Sequence, residues 1–147
     1  MKQKLRNVLD FAVAKEREAE AFYREWGGAS ENPAVIALFA ELAATEHGHV
    51  EMLSRVTPDD LVASHAEEET DLKLSEMLVD VQASERMSIR DAMALAMKRE
   101  EAAAALYDEL SHLGGEAQSL FAALAKEERR HKRQLETEYD EHILTDN

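Results

Sequence analysis

The sequence predicts an all-α protein: four long helices in one bundle, with a long crossover between the second and third. Three observations predict it. Ala, Leu, Glu, Met and Lys dominate, while the 147 residues hold only five glycines and two prolines, the usage of a helix-forming chain. Apolar residues recur at steps of three and four over four long segments, and no region shows the period-two alternation of a strand. The third observation is an internal repeat. The frame Leu38, Phe39, Leu42 ahead of Glu46-His-Gly-His49 returns 82 residues later as Leu120, Phe121, Leu124 ahead of Glu128-Arg-Arg-His131.

Residues 4–26 give the first helix. Leu5, Leu9, Ala12, Glu16, Ala19, Tyr23 and Trp26 fall on one face, with Glu16 at its centre rather than on its rim. Gly27-Gly28 is expected to end the helix, since glycine serves readily as a left-handed cap. Asn32 then caps a second helix with Pro33 at its first position. Its inward residues are Val35, Leu38, Phe39, Leu42, Glu46, His49, Val50 and Leu53, which completes a helical hairpin over 4–54. Residues 55–87 form the crossover. Thr57-Pro58-Asp59-Asp60 reads as a cap within it, 59–69 as a short helix, and Leu72, Leu74, Met77, Leu78 and Val81 as apolar packing positions. A structureless link of that length is uncommon in a compact domain, so it is expected to pack along the bundle.

The second hairpin spans 88–144. Ser88-Ile-Arg-Asp91 is a capping signature. Met93, Ala96, Met97, Glu100, Ala103, Tyr107 and Leu110 follow, up to Gly114-Gly115. The fourth helix starts near Glu116 and carries Leu120, Phe121, Leu124, Glu128, His131 and Leu135, with a pattern continuing through Tyr139, His142 and Ile143. The whole chain, 1–147, reads as one domain.

Composition narrows the function. A formal net charge of -14 argues against nucleic-acid or anionic-membrane surfaces. No apolar run is long enough to span a bilayer, and the start Met1-Lys-Gln-Lys-Leu5 leads into an amphipathic pattern rather than a signal peptide. Cytoplasmic is the default expectation. Without cysteine there is no disulfide, thiolate zinc site or chain-held iron–sulfur cluster.

The chemistry lies in the repeat. A carboxylate and an imidazole three residues apart share one helical face, so Glu46 with His49 and Glu128 with His131 each present a ligand pair. The flanking helices repeat too: Glu16, Ala19, Phe22, Tyr23 correspond to Glu100, Ala103, Leu106, Tyr107. Paired antiparallel, the halves bring Glu16, Glu46, His49, Glu100, Glu128 and His131 into one layer. Four carboxylates and two imidazoles suit two divalent iron or manganese ions, and two such ions balance four ionised glutamates whose burial alone is prohibitive. By symmetry with known bundle chemistry, Glu46 and Glu128 bridge the ions, Glu16 and Glu100 each cap one, and each ion takes one histidine. A solvated face is the ordinary alternative for any one of these residues; the recurrence of the whole set weighs against it.

Glu101 competes with Glu100, but only Glu100 keeps the seven-residue spacing to its tyrosine. Tyr23 and Tyr107 are candidate catalytic residues, acting on a carboxylate or an oxidised intermediate, or else core aromatics whose hydroxyls need partners. His47 points away from His49, and His65 and His112 have no supporting pattern. Trp26 and the pair Met93 and Met97 read as packing. Glu20 is a further candidate for the interior. Glu136, Glu138 and His142 extend the polar content of the fourth helix without a ligand role.

The stretches Glu16-Arg-Glu-Ala19-Glu-Ala-Phe-Tyr23, Leu42-Ala-Ala-Thr-Glu46-His-Gly-His49, Glu100-Glu-Ala-Ala103-Ala-Ala-Leu-Tyr107 and Leu124-Ala-Lys-Glu-Glu128-Arg-Arg-His131 resemble the rubrerythrin branch of the ferritin-like di-iron superfamily. The resemblance implies an up-down-down-up bundle, a non-haem di-iron centre and a homodimer. It also implies reduction of hydrogen peroxide or oxygen. Two departures matter. Two-domain rubrerythrins carry a rubredoxin-like domain with four iron-binding cysteines; this sequence has none and resembles the form without it, which implies an external electron donor. They also carry a further glutamate one turn after the third-helix ligand, where Ala103 stands here.

Three functions are consistent with these residues: a peroxide- or oxygen-reducing di-iron oxidoreductase, a ferroxidase or iron-handling protein, and a structural or regulatory bundle stabilised by its metal. Manganese or a mixed-metal pair would fit the same ligands.

Overall fold

The fold is seen in a computed structural model, which describes residues 2–62 and 87–143. Helix α1 runs Lys2–Ala29, α2 Pro33–Leu53, α3 Ile89–His112 and α4 Gln118–Glu138. A single 3-10 turn, Pro58–Asp60, follows α2, and a π-helical turn, Tyr139–Ile143, prolongs α4. The architecture is an all-α four-helix bundle with the ferritin-like up-down-down-up order. Its two hairpins, α1–α2 and α3–α4, are each closely paired, and the long α2-to-α3 crossover joins them. No helix among the described residues is long and apolar enough to cross a membrane.

The caps follow the sequence. The Asn32 side chain accepts from the backbone N–H groups of Ala34 at 2.9 Å and Val35 at 3.4 Å, with Pro33 behind it. Ser88 and Asp91 close a reciprocal capping box at the start of α3. A second capping box, Thr57 with Asp60, sets the 3-10 turn.

Three boundaries differ from expectation. Helix α1 does not stop at Gly27-Gly28 but continues to Ala29. Two interior glycines cost only about 1 kcal/mol each, and a Cβ on Gly27 would sit 3.3 Å from the Cβ of Phe39. That glycine serves the close approach of α1 to α2 rather than a break. The short helix expected over 59–69 is confined, within the described residues, to Pro58–Asp60, with Leu61 and Val62 in a turn. The remainder of it, and Leu72, Leu74, Met77, Leu78, Val81 and His65, lie outside the described residues. The fourth helix begins at Gln118, two residues past Glu116.

At the other hairpin tip, glycine is a requirement. Gly114 and Gly115 both adopt φ of 81°, which L side chains avoid. A Cβ on Gly115 would meet the Asp60 carbonyl oxygen at 2.5 Å, and the same oxygen accepts from the Ala117 N–H at 2.8 Å. Gly115 thus lets the segment after α2 dock on the start of α4. Gly115→Ala is expected to destabilise the fold by more than about 1 kcal/mol, read as a lower denaturant midpoint at unchanged slope. An unchanged midpoint would show that this contact is dispensable.

The core is divided. One apolar cluster holds Leu5, Leu9, Leu53, Leu110, Phe121 and Leu124; the other holds Phe22, Val35, Phe39, Leu42, Met93 and Leu135. On every helix buried polar side chains lie between the two clusters: Glu16 on α1, Glu46 and His49 on α2, Glu100 on α3, Glu128 and His131 on α4. The bundle therefore carries a charged layer across its middle, sealed above and below by hydrocarbon.

Candidate metal centre

All six residues of the repeat reach that layer, each at most 3 % exposed. Helical spacing places them there. On α2 and α4 the three-residue step stacks Glu over His on one face, and on α1 and α3 a single Glu interrupts the apolar stripe. Their ligand atoms form two groups, each within 4.8 Å: Glu16, Glu46, His49 and Glu128, and Glu46, Glu100, Glu128 and His131. Glu46 and Glu128 belong to both groups, while Glu16 with His49 and Glu100 with His131 belong to one each. The two imidazoles lie nearly parallel, with ring centres 6.1 Å apart.

Each ring turns Nδ1 inward. His49 Nδ1 is 3.1 Å from Glu128, 3.4 Å from Glu16 and 3.5 Å from Glu46. His131 Nδ1 is 3.3 Å from Glu46, 3.5 Å from Glu100 and 3.7 Å from Glu128.

The tyrosines cross between hairpins. Tyr23, on α1, donates to Glu100 Oε1 at 2.6 Å, and Tyr107, on α3, donates to Glu16 Oε1 at 2.5 Å. Glu16 and Glu100 are thus each held through one oxygen by the opposite hairpin, and the other oxygen of each is left without a hydrogen-bond partner among the described residues. Burial, reinforced by the neighbouring carboxylates, pushes both phenols well above their ordinary range, so both remain donors.

The donor set fits a pair of divalent cations. Glu16 Oε2, Glu46 Oε1, Glu100 Oε2, Glu128 Oε1 and the Nδ1 atoms of His49 and His131 are buried with no hydrogen-bond partner among the described residues. Buried polar atoms left unmatched in this way are costly, and they converge on one space. Four carboxylates with two imidazoles are the hard-oxygen and borderline-nitrogen mixture that suits iron or manganese. In the bare protein, protons do part of the balancing. Burial, together with the charges of Glu100 and Glu46, pushes Glu128 well above the usual carboxylate range. Burial also opposes charge on the histidines, but the facing carboxylates outweigh it. Glu128 and Glu46 hold His49 up to about 10, and Glu100 and Glu46 hold His131 up to about 9. Burial likewise works against Glu46, yet His131 and His49 keep its carboxyl below the ordinary value.

Other candidates fall outside the layer. Glu101 is exposed, within 3.8 Å of Lys132. His47 is at the surface between Glu20 and Glu51. Glu20 does not turn inward as expected; its carboxylate binds Arg24 at 2.8 Å and His47 at 3.0 Å. Met93 is core, Trp26 packs on Phe22, and His112 is exposed.

Glu127 is the residue that sequence reasoning missed. Its carboxylate, 30 % exposed, lies 3.2 Å from His49 Nε2 and 3.9 Å from His131 Nε2, on the outer side of both rings. At 3.2 Å from His49 Nε2 it is close enough for its charge to favour a proton on that nitrogen, leaving Nδ1 to ligate, the arrangement by which metal-binding imidazoles are oriented; at 3.9 Å from His131 it acts through charge alone. The available signal was its place one turn before His131. The repeat hid it, because its counterpart in the first half is Thr45, whose hydroxyl bonds the Glu41 carbonyl. Glu127→Ala is expected to weaken metal binding about 10- to 100-fold with the fold intact, measured by competition against a chelator. Unchanged affinity would reduce Glu127 to a surface charge.

The model of the rubrerythrin family matches residues 7–139. Nothing among curated proteins or among solved structures matches the chain.

Proposed function

The chain belongs to the rubrerythrin family, and we propose that it is a non-haem di-iron oxidoreductase that reduces hydrogen peroxide or dioxygen with electrons from an external donor. The observation that carries this reading is the pair of overlapping ligand groups sharing Glu46 and Glu128. A single-ion site needs no such sharing.

In this reading Glu46 and Glu128 would be shared by two ions, with Glu16 and His49 to hold one and Glu100 and His131 to hold the other. A di-iron(II) pair held there would supply two electrons, the number needed to turn one hydrogen peroxide and two protons into two waters, or one dioxygen and two protons into one hydrogen peroxide. The chain's own residues do the rest. Tyr23 and Tyr107 are positioning residues: each keeps its phenolic proton and fixes a capping glutamate with one oxygen turned to the layer. Glu127, 3.2 Å from His49 Nε2, favours a proton there and so the ligating role of Nδ1. The apolar clusters on either side exclude bulk water. With no cysteine in the 147 residues, no iron–thiolate relay is built from them, and in this reading the electrons come from a donor outside these residues.

The test is anaerobic loading with iron(II), followed by stopped-flow mixing with hydrogen peroxide or dioxygen. We expect about two irons per chain and rapid oxidation, faster with peroxide. Less than one iron per folded chain, or no oxidation by either reactant, would overturn the proposal. Turnover of excess iron(II), with the centre left unchanged, would instead assign iron as the substrate.

A further inference from the structure

A run of aromatic rings leads from the charged layer to the surface. It starts at Tyr23, whose hydroxyl donates to Glu100 at 2.6 Å. The Tyr23 ring meets Phe22 edge-on, with ring centres 5.6 Å apart, and Phe22 meets Trp26 at 6.3 Å. Helical spacing holds the run together: Phe22 and Trp26 are four residues apart, and Tyr23 and Trp26 three, on one side of α1. Trp26 is the one tryptophan of the chain. Its ring is half-buried against the second apolar cluster. Its indole N–H has no acceptor among the described residues and is open to water.

The repeat shows that packing alone does not call for these rings. Each half sets a tyrosine against a phenylalanine, Tyr23 on Phe39 at 5.3 Å and Tyr107 on Phe121 at 5.8 Å. Only the first half carries the rings outward. Where it has Phe22 and Trp26, the second half has Leu106 and Leu110, each 84 residues on and both buried. Leucine serves as hydrocarbon at the related places. Phenylalanine and tryptophan add two things: unbroken ring contact, and in the indole a side chain that gives up an electron readily. The polar edge of that indole is where a reductant in water can meet it.

We propose that Trp26 is a reserve electron donor to the layer, acting through Phe22 and Tyr23 when an oxidant has drained the centre and no external donor has refilled it. The inference rests on the redox reading above and adds to it a route within the chain. The step moves one electron. The oxidised layer gains it, and the indole becomes a radical cation that passes its Nε1 proton to water. A one-electron reductant of the thiol or ascorbate class then returns an electron to the ring, and a proton from water restores the N–H. Tyr23 keeps its phenolic proton; its ring and its bond to Glu100 are the medium the electron crosses.

The test adds excess hydrogen peroxide to the iron-loaded protein without reductant. Radicals are trapped by freezing and read by electron paramagnetic resonance, and oxygen added to side chains is mapped by mass spectrometry. An indole radical and oxygen on Trp26 are expected, both suppressed by ascorbate. The metal-free and zinc(II)-loaded proteins are expected to show neither. Phe22→Leu, which gives the first half the leucine of the second, is expected to bind as much iron and to lose both signals to the level of those controls. If Phe22→Leu melts early, Trp26→Phe replaces it, and its radical signal must vanish or change. Trp26 oxidised equally without iron or in Phe22→Leu, the same radical in Trp26→Phe, or oxygen confined to Met93 or Tyr107 overturns the inference and leaves the di-iron reading intact. Iron(II) in the wild-type layer that neither peroxide nor dioxygen oxidises overturns the redox reading instead.

Discussion

Replacing Glu46 by alanine is expected to empty both metal positions together. Its carboxylate is shared by the two ligand groups, so one substitution removes a donor from each ion. Loss of an outer carboxylate alone typically costs 10- to 100-fold in metal affinity; loss of a shared ligand is expected to exceed about 100-fold. The control is Glu101→Ala, an exposed carboxylate next to Glu100 in sequence and outside both groups, which is expected to bind metal as the wild type does. Equal losses in the two variants would contradict the ligand assignment. Because Glu46→Ala also leaves a hole in the core, Glu128→Gln provides a second measure. Glu128 is pushed toward its neutral form in the bare protein, and glutamine mimics that form in shape and charge. The metal-free melting temperature is therefore expected to move by no more than about 2 °C, while metal-induced stabilisation is lost.

Adding two equivalents of a divalent metal, anaerobically where it is iron(II), is expected to raise the melting temperature by about 10–20 °C. An ion at a hundredfold excess over its dissociation constant contributes about 2.7 kcal/mol, two ions about twice that. In a domain of this size each kcal/mol is worth about 2–4 °C. The same titration is expected to release protons. With His49 held up to about 10 and His131 up to about 9, both imidazoles are protonated at neutral pH, and Glu128 is displaced toward its protonated form. Ligation requires all three deprotonated. Apparent affinity should therefore strengthen as pH rises toward those values and weaken as it falls. A melting temperature that ignores metal, or binding without proton release in weak buffer, would contradict the balance of charges described for the layer.

Much of this was legible in the sequence, for identifiable reasons. All eight inward residues expected on α2 are buried, because a helix interrupted only by Gly48 leaves its period intact. The Asn32 and Ser88 caps were readable because short polar side chains before a periodic run have one dominant local use. The six converging residues were legible because a two-fold repeat states them twice. What the repeat does not state was missed. Glu127 lies on one side of both histidines, nearer His49, and Thr45 stands at the related position. The tyrosines lie two turns from the glutamate on their own helix, but each donates to the glutamate of the other hairpin; only the pairing of α1 with α3 determines that. Gly27-Gly28 and Gly114-Gly115 read alike, yet the first pair is helical and the second left-handed. The difference lies in tertiary neighbours, Phe39 for Gly27 and the Asp60 carbonyl for Gly115.

The central claim is that this chain builds one two-ion centre from two matched halves. Crystals grown anaerobically with iron(II) or manganese(II), with anomalous scattering recorded at the metal edge, test it most directly. The expected result is two anomalous peaks inside the bundle, both in contact with Glu46 and Glu128, one also with Glu16 and His49 and the other with Glu100 and His131. A single ion, or metal confined to surface carboxylates while the layer stays protonated, would contradict it.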